Sequence, residues 1–333
     1  MRRLIAVLAA VTAAAGLAGT TRATADDGPA VSQAAGAPAL SLIARLTGGQ
    51  QVPGKSGAAL GDRDGKAIAL VKVKGDRVTF ALSWTGIDRP ARAHLHRGAT
   101  GSEGAVVADL FATPMPASVY SAAGQTTLSS AALAEQLRRD PGGFSVPASV
   151  YSAAGQTTLS SAALAEQLRR DPGGFSVDLH TDAFPEGAVH GRLRPFARPV
   201  NPLDIINGGD LRALADGGQE IPAGSPERSG DPDGHATAFL HPRKARVDYS
   251  LAWVNTGPPL TGHVHEGALG ENGAVRLPLF TSPVPKNVFA VSGSVSAPDA
   301  SLIARLRTDP TGFYANLTTQ EFPDGAVRGQ LFR

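Results

Sequence analysis

Cysteine is absent from all 333 residues, so no disulfide and no thiolate metal site can hold this chain together. Aromatic residues make up only 5 %, two of them tryptophan. A dominant charge is missing too: 31 basic residues face 29 acidic ones. No basic stretch with interleaved aromatics occurs, which argues against a nucleic-acid partner. There is no phosphate-cradling glycine loop. No serine sits in a strand–turn–helix elbow with His and Asp in order. The chain therefore reads more as a non-enzyme than as an enzyme. Beyond the first residues no stretch is apolar enough to span a membrane.

What is present begins with an address. Arg2 and Arg3 precede an apolar run from Leu4 to Leu17, and Ala23-Thr24-Ala25 has the small-x-small form of a cleavage site. Residues 1–25 are expected to be a signal peptide cut near Ala25, giving a secreted or extracytoplasmic product with no transmembrane segment. Removing Arg2, Arg3 and Arg22 from the 31 basic residues leaves 28 against 29 acidic, so the whole-chain pI of about 9.0 overstates the basicity of the mature protein. Residues 26–38 read as a flexible leader.

The rest is written twice. Residues 78–98, VTFALSWTGIDRPARAHLHRG, match residues 247–267, VDYSLAWVNTGPPLTGHVHEG, at an offset of 169 that also relates Gly48-Gly49-Gln50 to Gly217-Gly218-Gln219. Two modules follow, residues 39–197 and 203–333, joined by a short, stiff linker at 198–202. A second repeat lies inside the first module: residues 116–146 and 147–177 are the same 31 residues without a difference. Beyond it the offset between modules falls from 169 to 138. One strand-and-helix unit is thus expected to be surplus and to pack outside the sandwich.

Val78, Phe80, Leu82 and Trp84 alternate with smaller or polar residues, as do Val247, Tyr249, Leu251 and Trp253. Period two with one apolar face predicts half-buried strands, and places both tryptophans in the core. Residues 105–110 predict a further strand. Asp-Gly and Pro-x-Gly turns are dense. Leu133 and Leu137, stopped by Asp140-Pro141, predict one short helix in the first module; Leu302 and Leu306, stopped by Asp309-Pro310, predict its counterpart. The fold class is all-β: two tandem antiparallel sandwiches, each with one short helix. The last residues, Gly329 to Phe332, are expected to be tied into a sheet.

Several motifs carry a family resemblance. They are Gly49-Gln50-Gln51-Val52-Pro53, the strand ending at Trp84, His94-Leu95-His96-Arg97-Gly98, Gly104-Ala105-Val106-Val107, and the closing Leu179-His180-Thr181 with Phe184 to Leu193. The second module repeats them with His263-Val264-His265-Glu266-Gly267 and Phe322 to Leu331. In this set and order the chain resembles the CHRD domain of chordin and of many exported bacterial proteins. The resemblance implies an immunoglobulin-like Greek-key β-sandwich and a binding or structural role, with an extracellular protein or a cell-envelope component as partner. It implies no catalytic activity and no required cofactor.

A local stretch, Gly262-His263-Val264-His265-Glu266, also resembles the copper-ligand strand of copper/zinc superoxide dismutases. On a strand, residues i and i+2 share a face, so His94 and His96 can reach one ion. Imidazole suits copper and zinc, and His180 is the candidate third ligand. The alternative function is therefore an extracytoplasmic copper- or zinc-binding protein, with its site in the first module. His263 and His265 are the corresponding pair in the second. There Thr318 stands where His180 stands, so only two imidazoles remain. The Asp-Gly pairs at 64–65 and 233–234 lack the distal carboxylate of a calcium loop.

Overall fold

Alternating sequence becomes strand wherever one face can be buried, and both halves of the chain follow that rule. The computed structural model describes residues 38–51, 60–74, 77–98, 104–127, 161–222 and 226–333. The expectations for residues 1–25 and for most of the leader lie outside them.

In the first half β1 (Leu40–Thr47), β2 (Lys66–Lys74), β3 (Arg77–Thr85) and β6 (Val119–Thr127) form one layer, in the order β1-β2-β3-β6. The other layer runs β5-β4-β7-β8, from β4 (Arg92–Arg97), β5 (Ala105–Phe111), β7 (Phe175–His180) and β8 (Val189–Arg192). All these pairings are antiparallel. The layers meet where β1 also pairs with β8 and with the two-residue β9 (Arg194–Pro195).

The second half repeats this order. Its layers are β10-β11-β12-β15 and β14-β13-β16-β17. The strands are β10 (Leu211–Asp216), β11 (His235–Pro242), β12 (Arg246–Val254), β13 (Thr261–Glu266), β14 (Val275–Phe280), β15 (Val288–Ser296), β16 (Phe313–Thr318) and β17 (Val327–Gln330). Val78, Phe80, Leu82 and Trp84 enter the core, as do Val247, Tyr249, Leu251 and Trp253. The C-terminus is sewn in by two backbone bonds between Phe332 and Arg212, of 2.7 and 2.8 Å. The two halves share a seam: β6 pairs antiparallel with β15, so one sheet runs across both.

Each half has one helix among the described residues, α1 (Ser161–Arg170) and α2 (Ala300–Thr308). Leu302, Ile303 and Leu306 bury one face of α2, and the Asp299 carboxylate caps it by accepting from the Leu302 amide at 2.7 Å. Leu164 and Leu168 do the same burial for α1, which Asp171-Pro172 stops.

The duplicated segment is divided between its copies. The first supplies β6; the second supplies α1 and the start of β7. A physical reason is readable in the sequence. The first copy continues from Val146 into Pro147, whereas the second continues from Val177 into Asp178 and His180. β7 is paired on both sides, by β4 and β8, and proline cannot serve such a ladder. Residues 128–160 lie outside the described residues, and with them the surplus unit and the helix expected at Leu133 and Leu137.

Candidate metal centre

The outer face of the β5-β4-β7-β8 layer brings the polar residues of four strands side by side. Leu95 and Val177 face each other in the core, so the alternate positions lie on the opposite face. There His94 stands directly opposite Asp178, His96 opposite Ser176 and Arg92 opposite His180. Asp178 is thus flanked on one side by His94, with His96 and His180 two positions along their strands. On the far side of β4, His94 faces Asp109; beyond β7, Asp178 faces His190.

Loops cover the centre of this face, while Arg92 and Asp109 at its margin stay exposed. His96, Asp178 and His180 are each exposed by 5 % or less. Two rings are fixed by backbone carbonyls: His96 Nδ1 lies 2.9 Å from Gly104 O, and His180 Nδ1 lies 2.9 Å from Pro185 O. A carbonyl can only accept, so each Nδ1 carries the proton, leaving Nε2 as the donor atom for a metal. Gly104 is needed for this, because a Cβ there would collide with the Arg97 carbonyl.

Both Nε2 atoms then point at one oxygen. His96 Nε2 is 2.9 Å from Asp178 Oδ2, and His180 Nε2 is 3.0 Å from it. His94 completes the group: its ring centroid is 5.6 Å from that of His96 and 4.9 Å from that of His180. Ligating atoms of His94, His96, Asp178 and His180 all fall within 4.8 Å of one another. His94 Nδ1 and Asp178 Oδ1 are buried without a hydrogen-bond partner. A lone pair facing a carboxylate oxygen at 3 Å is repulsive. The contact turns favourable when positive charge enters, as a second proton on the rings or as a cation shared by all the donors.

The electrostatics are consistent with such a charge. Burial works to raise the Asp178 carboxyl, but His180 and His96, once their rings carry the second proton, overcome it through hydrogen bonding and charge and hold it well below the usual carboxylate range. Burial drives His94 the other way for a base, down to about 4, which keeps its ring neutral and able to ligate. The donor set, three imidazoles and one carboxylate, suits zinc or copper(II) and lacks the soft sulfur that copper(I) favours.

The second half carries the same frame with other side chains. His263 stands opposite Asn316, and His265 opposite Tyr314. His265 Nδ1 again meets a glycine carbonyl, Gly273 O at 2.9 Å, but its ring stacks on Tyr314 with centroids 4.8 Å apart. Asn316 donates to Glu220 Oε1 at 2.6 Å. Thr318 and Thr261 hydroxyls pair at 2.8 Å. Arg328, opposite Asn316 on β17, lies buried with its guanidinium carbon 3.6 Å from the Tyr314 ring centroid. Its nitrogens reach Asn272 Oδ1 and the carbonyls of Ala268 and Glu271. Burial pushes the Glu220 carboxyl up to about 7, against the opposing pull of Arg328 and Asn316. No second cluster of metal-ligating side chains forms among the described residues.

The expected imidazoles His94, His96 and His180 therefore meet in one place, while His263 and His265 form no such group with a third imidazole or a carboxylate among the described residues. Reading from the residues missed Asp178, which stands at the centre of the group. The signal was there: Asp178-Leu179-His180 alternates just as His94-Leu95-His96 does, so its two polar residues share a face.

Comparison with known proteins gives one family. The family model for the CHRD domain matches residues 42–193 and again residues 211–331. No curated protein matches the chain. The likeness to dismutases gains no support from these comparisons.

Proposed function

This chain belongs to the CHRD domain family, in two tandem copies, and we propose that it is an extracytoplasmic binding protein whose first domain holds one zinc or copper(II) ion. The ligands are His94, His96, Asp178 and His180. The observation that carries this reading is the convergence of two carbonyl-locked rings on one buried carboxylate oxygen, with a third ring beside them. Donor atoms about 2.0–2.1 Å from a tetrahedral ion stand about 3.3 Å apart. The observed 2.9 and 3.0 Å separations need only small side-chain shifts to match.

Four protein donors fill a tetrahedral shell, as in sites that hold an ion rather than expose it to substrate. The second domain serves binding or structure without an ion. Export through the basic-apolar-A-x-A leader, cleavage near Ala25, and a partner outside the cell or in its envelope complete the proposal. Zinc and copper titration of the mature protein, read by elemental analysis after dialysis, tests it. One ion per chain is expected, lost in His96→Ala and kept in His265→Ala. An unchanged ratio in His96→Ala rejects the site.

A further inference from the structure

The seam between the domains has a symmetry of its own. Its register pairs Val288 with Gly124, Ala290 with Ala123, Val291 with Ala122, Ser292 with Ser121 and Gly293 with Val119. The offset between the domains here is 169. Moving each residue to its counterpart in the other domain returns the same pairs. Val119 becomes Val288 as Gly293 becomes Gly124; Ala122 and Val291 exchange and lie on the axis. The flanking backbone bonds obey the same exchange: the Gln125 amide donates to Asn287 O at 2.8 Å, and the Ser294 amide to Ser118 O at 3.0 Å.

Side chains repeat the pattern. At Gly124 a Cβ would press on the Asn287 carbonyl and on Phe80; at Gly293 it would press on the Ser118 carbonyl and on Tyr249, the counterparts of those groups. Both glycines thus allow the partner backbone to approach. Asn287 Nδ2 reaches back to the Asp109 and Leu110 carbonyls, each at 3.4 Å. Ser118, its counterpart, donates to Leu279 O at 2.6 Å and meets the Tyr249 hydroxyl at 2.9 Å. Over the seam lies a single turn, Pro202–Ile205, whose Ile205 packs with Ala81, Ala123 and Ala290 and whose Ile205 carbonyl accepts from Ser292 Oγ at 2.7 Å.

A contact in which i meets j while j meets i is isologous, the form by which two separate identical subunits pair. Each domain has an edge strand, and unpaired edges recruit strands. We infer that the two CHRD domains form an internal dimer, whose β6–β15 seam is a complete recognition surface for a second module of the same kind. The linker raises the local concentration of the partner and clamps the seam; it does not create it.

Ala197, Arg198 and Pro199 are exposed, so a protease recognition sequence inserted there in the full chain can be cut without touching the seam. After cutting, light scattering at micromolar concentration is expected to give the mass of the uncut protein. Two separate fragments overturn the inference. The double variant Ser118→Ala/Asn287→Ala is expected to weaken the cut pair by about tenfold or more; an unchanged dissociation constant counts against the seam. Hydrogen exchange guards against misfolding of either variant. The Gln125 and Ser294 amides should stay protected after cutting, and loss of that protection alone, with the sheets otherwise intact, overturns the inference.

Discussion

The outer face of β4 and β7 and that of β13 and β16 are one design with two fillings. In the first domain three imidazoles surround the Asp178 carboxylate. In the second, Asn316 and Thr318 replace Asp178 and His180, while Tyr314 and Arg328 enter at the places of Ser176 and His190. The cation is then covalent: Arg328 lies buried against Tyr314 and is held by two backbone carbonyls. A buried anion with convergent imidazoles needs a positive partner from outside; a buried guanidinium supplies its own. The glycine-carbonyl lock on the second histidine of each pair survives in both domains, so it belongs to the frame. The acidic centre does not, and it is what the proposed metal site adds to the frame.

That comparison can be broken most severely at His96. His96→Ala is expected to lower zinc or copper affinity by roughly a hundredfold or more, beyond the tenfold to hundredfold loss typical of a ligand's supporting partner. His265→Ala should leave affinity unchanged in the same competition titration. Rebuilding runs the other way. Tyr314→Ser, Asn316→Asp, Thr318→His and Arg328→His together give the second domain the first domain's residues, and bound metal should rise from one ion per chain to two.

The cores differ more gently. Phe80 and Tyr249 are counterparts. Phe80→Ala empties a fully buried site and should cost about 3–5 kcal/mol in denaturant unfolding. Tyr249→Phe keeps the volume, loses only the bond to Ser118 and should cost about 1 kcal/mol.

A pH-dependent effect concerns Glu220. Its folded pKa, about 7, lies above its ordinary value of 4.5. The folded state thus favours the protonated acid. This contribution is fully present below pH 4.5 and is lost as pH rises to about 7. Partial solvent screening should keep it to about 2 kcal/mol. Glu220→Gln should flatten the stability profile of the second domain between those pH values, in thermal unfolding followed across that range.

The sequence was most legible where periodicity carried the physics. The 169-residue offset gave the two modules, and alternation at Val78 to Trp84 and at Val247 to Trp253 gave strands with the right face inward. The same rule put the two histidines of each pair on one face. Their burial was not legible, because it comes from segments crossing over the sheet: Gly104 and Pro185 lie far from each other in the chain, and each locks a different ring of the group. Asp178 escaped because an acidic residue on a strand has a bland reading until a third imidazole stands next to it. The seam escaped for another reason. Apart from Val291, Ser121 to Gly124 and Ala290 to Gly293 are small residues with little periodic signal, and small residues let backbones pair closely across a dyad.

The most direct test of the metal reading is zinc content per chain for the mature protein and for Asp178→Asn, which places the second domain's residue in the first domain's site. After equilibration with zinc and dialysis, one ion per wild-type chain and none in the variant is the expected result. No ion in the wild type, or the same ratio in both proteins, would contradict it.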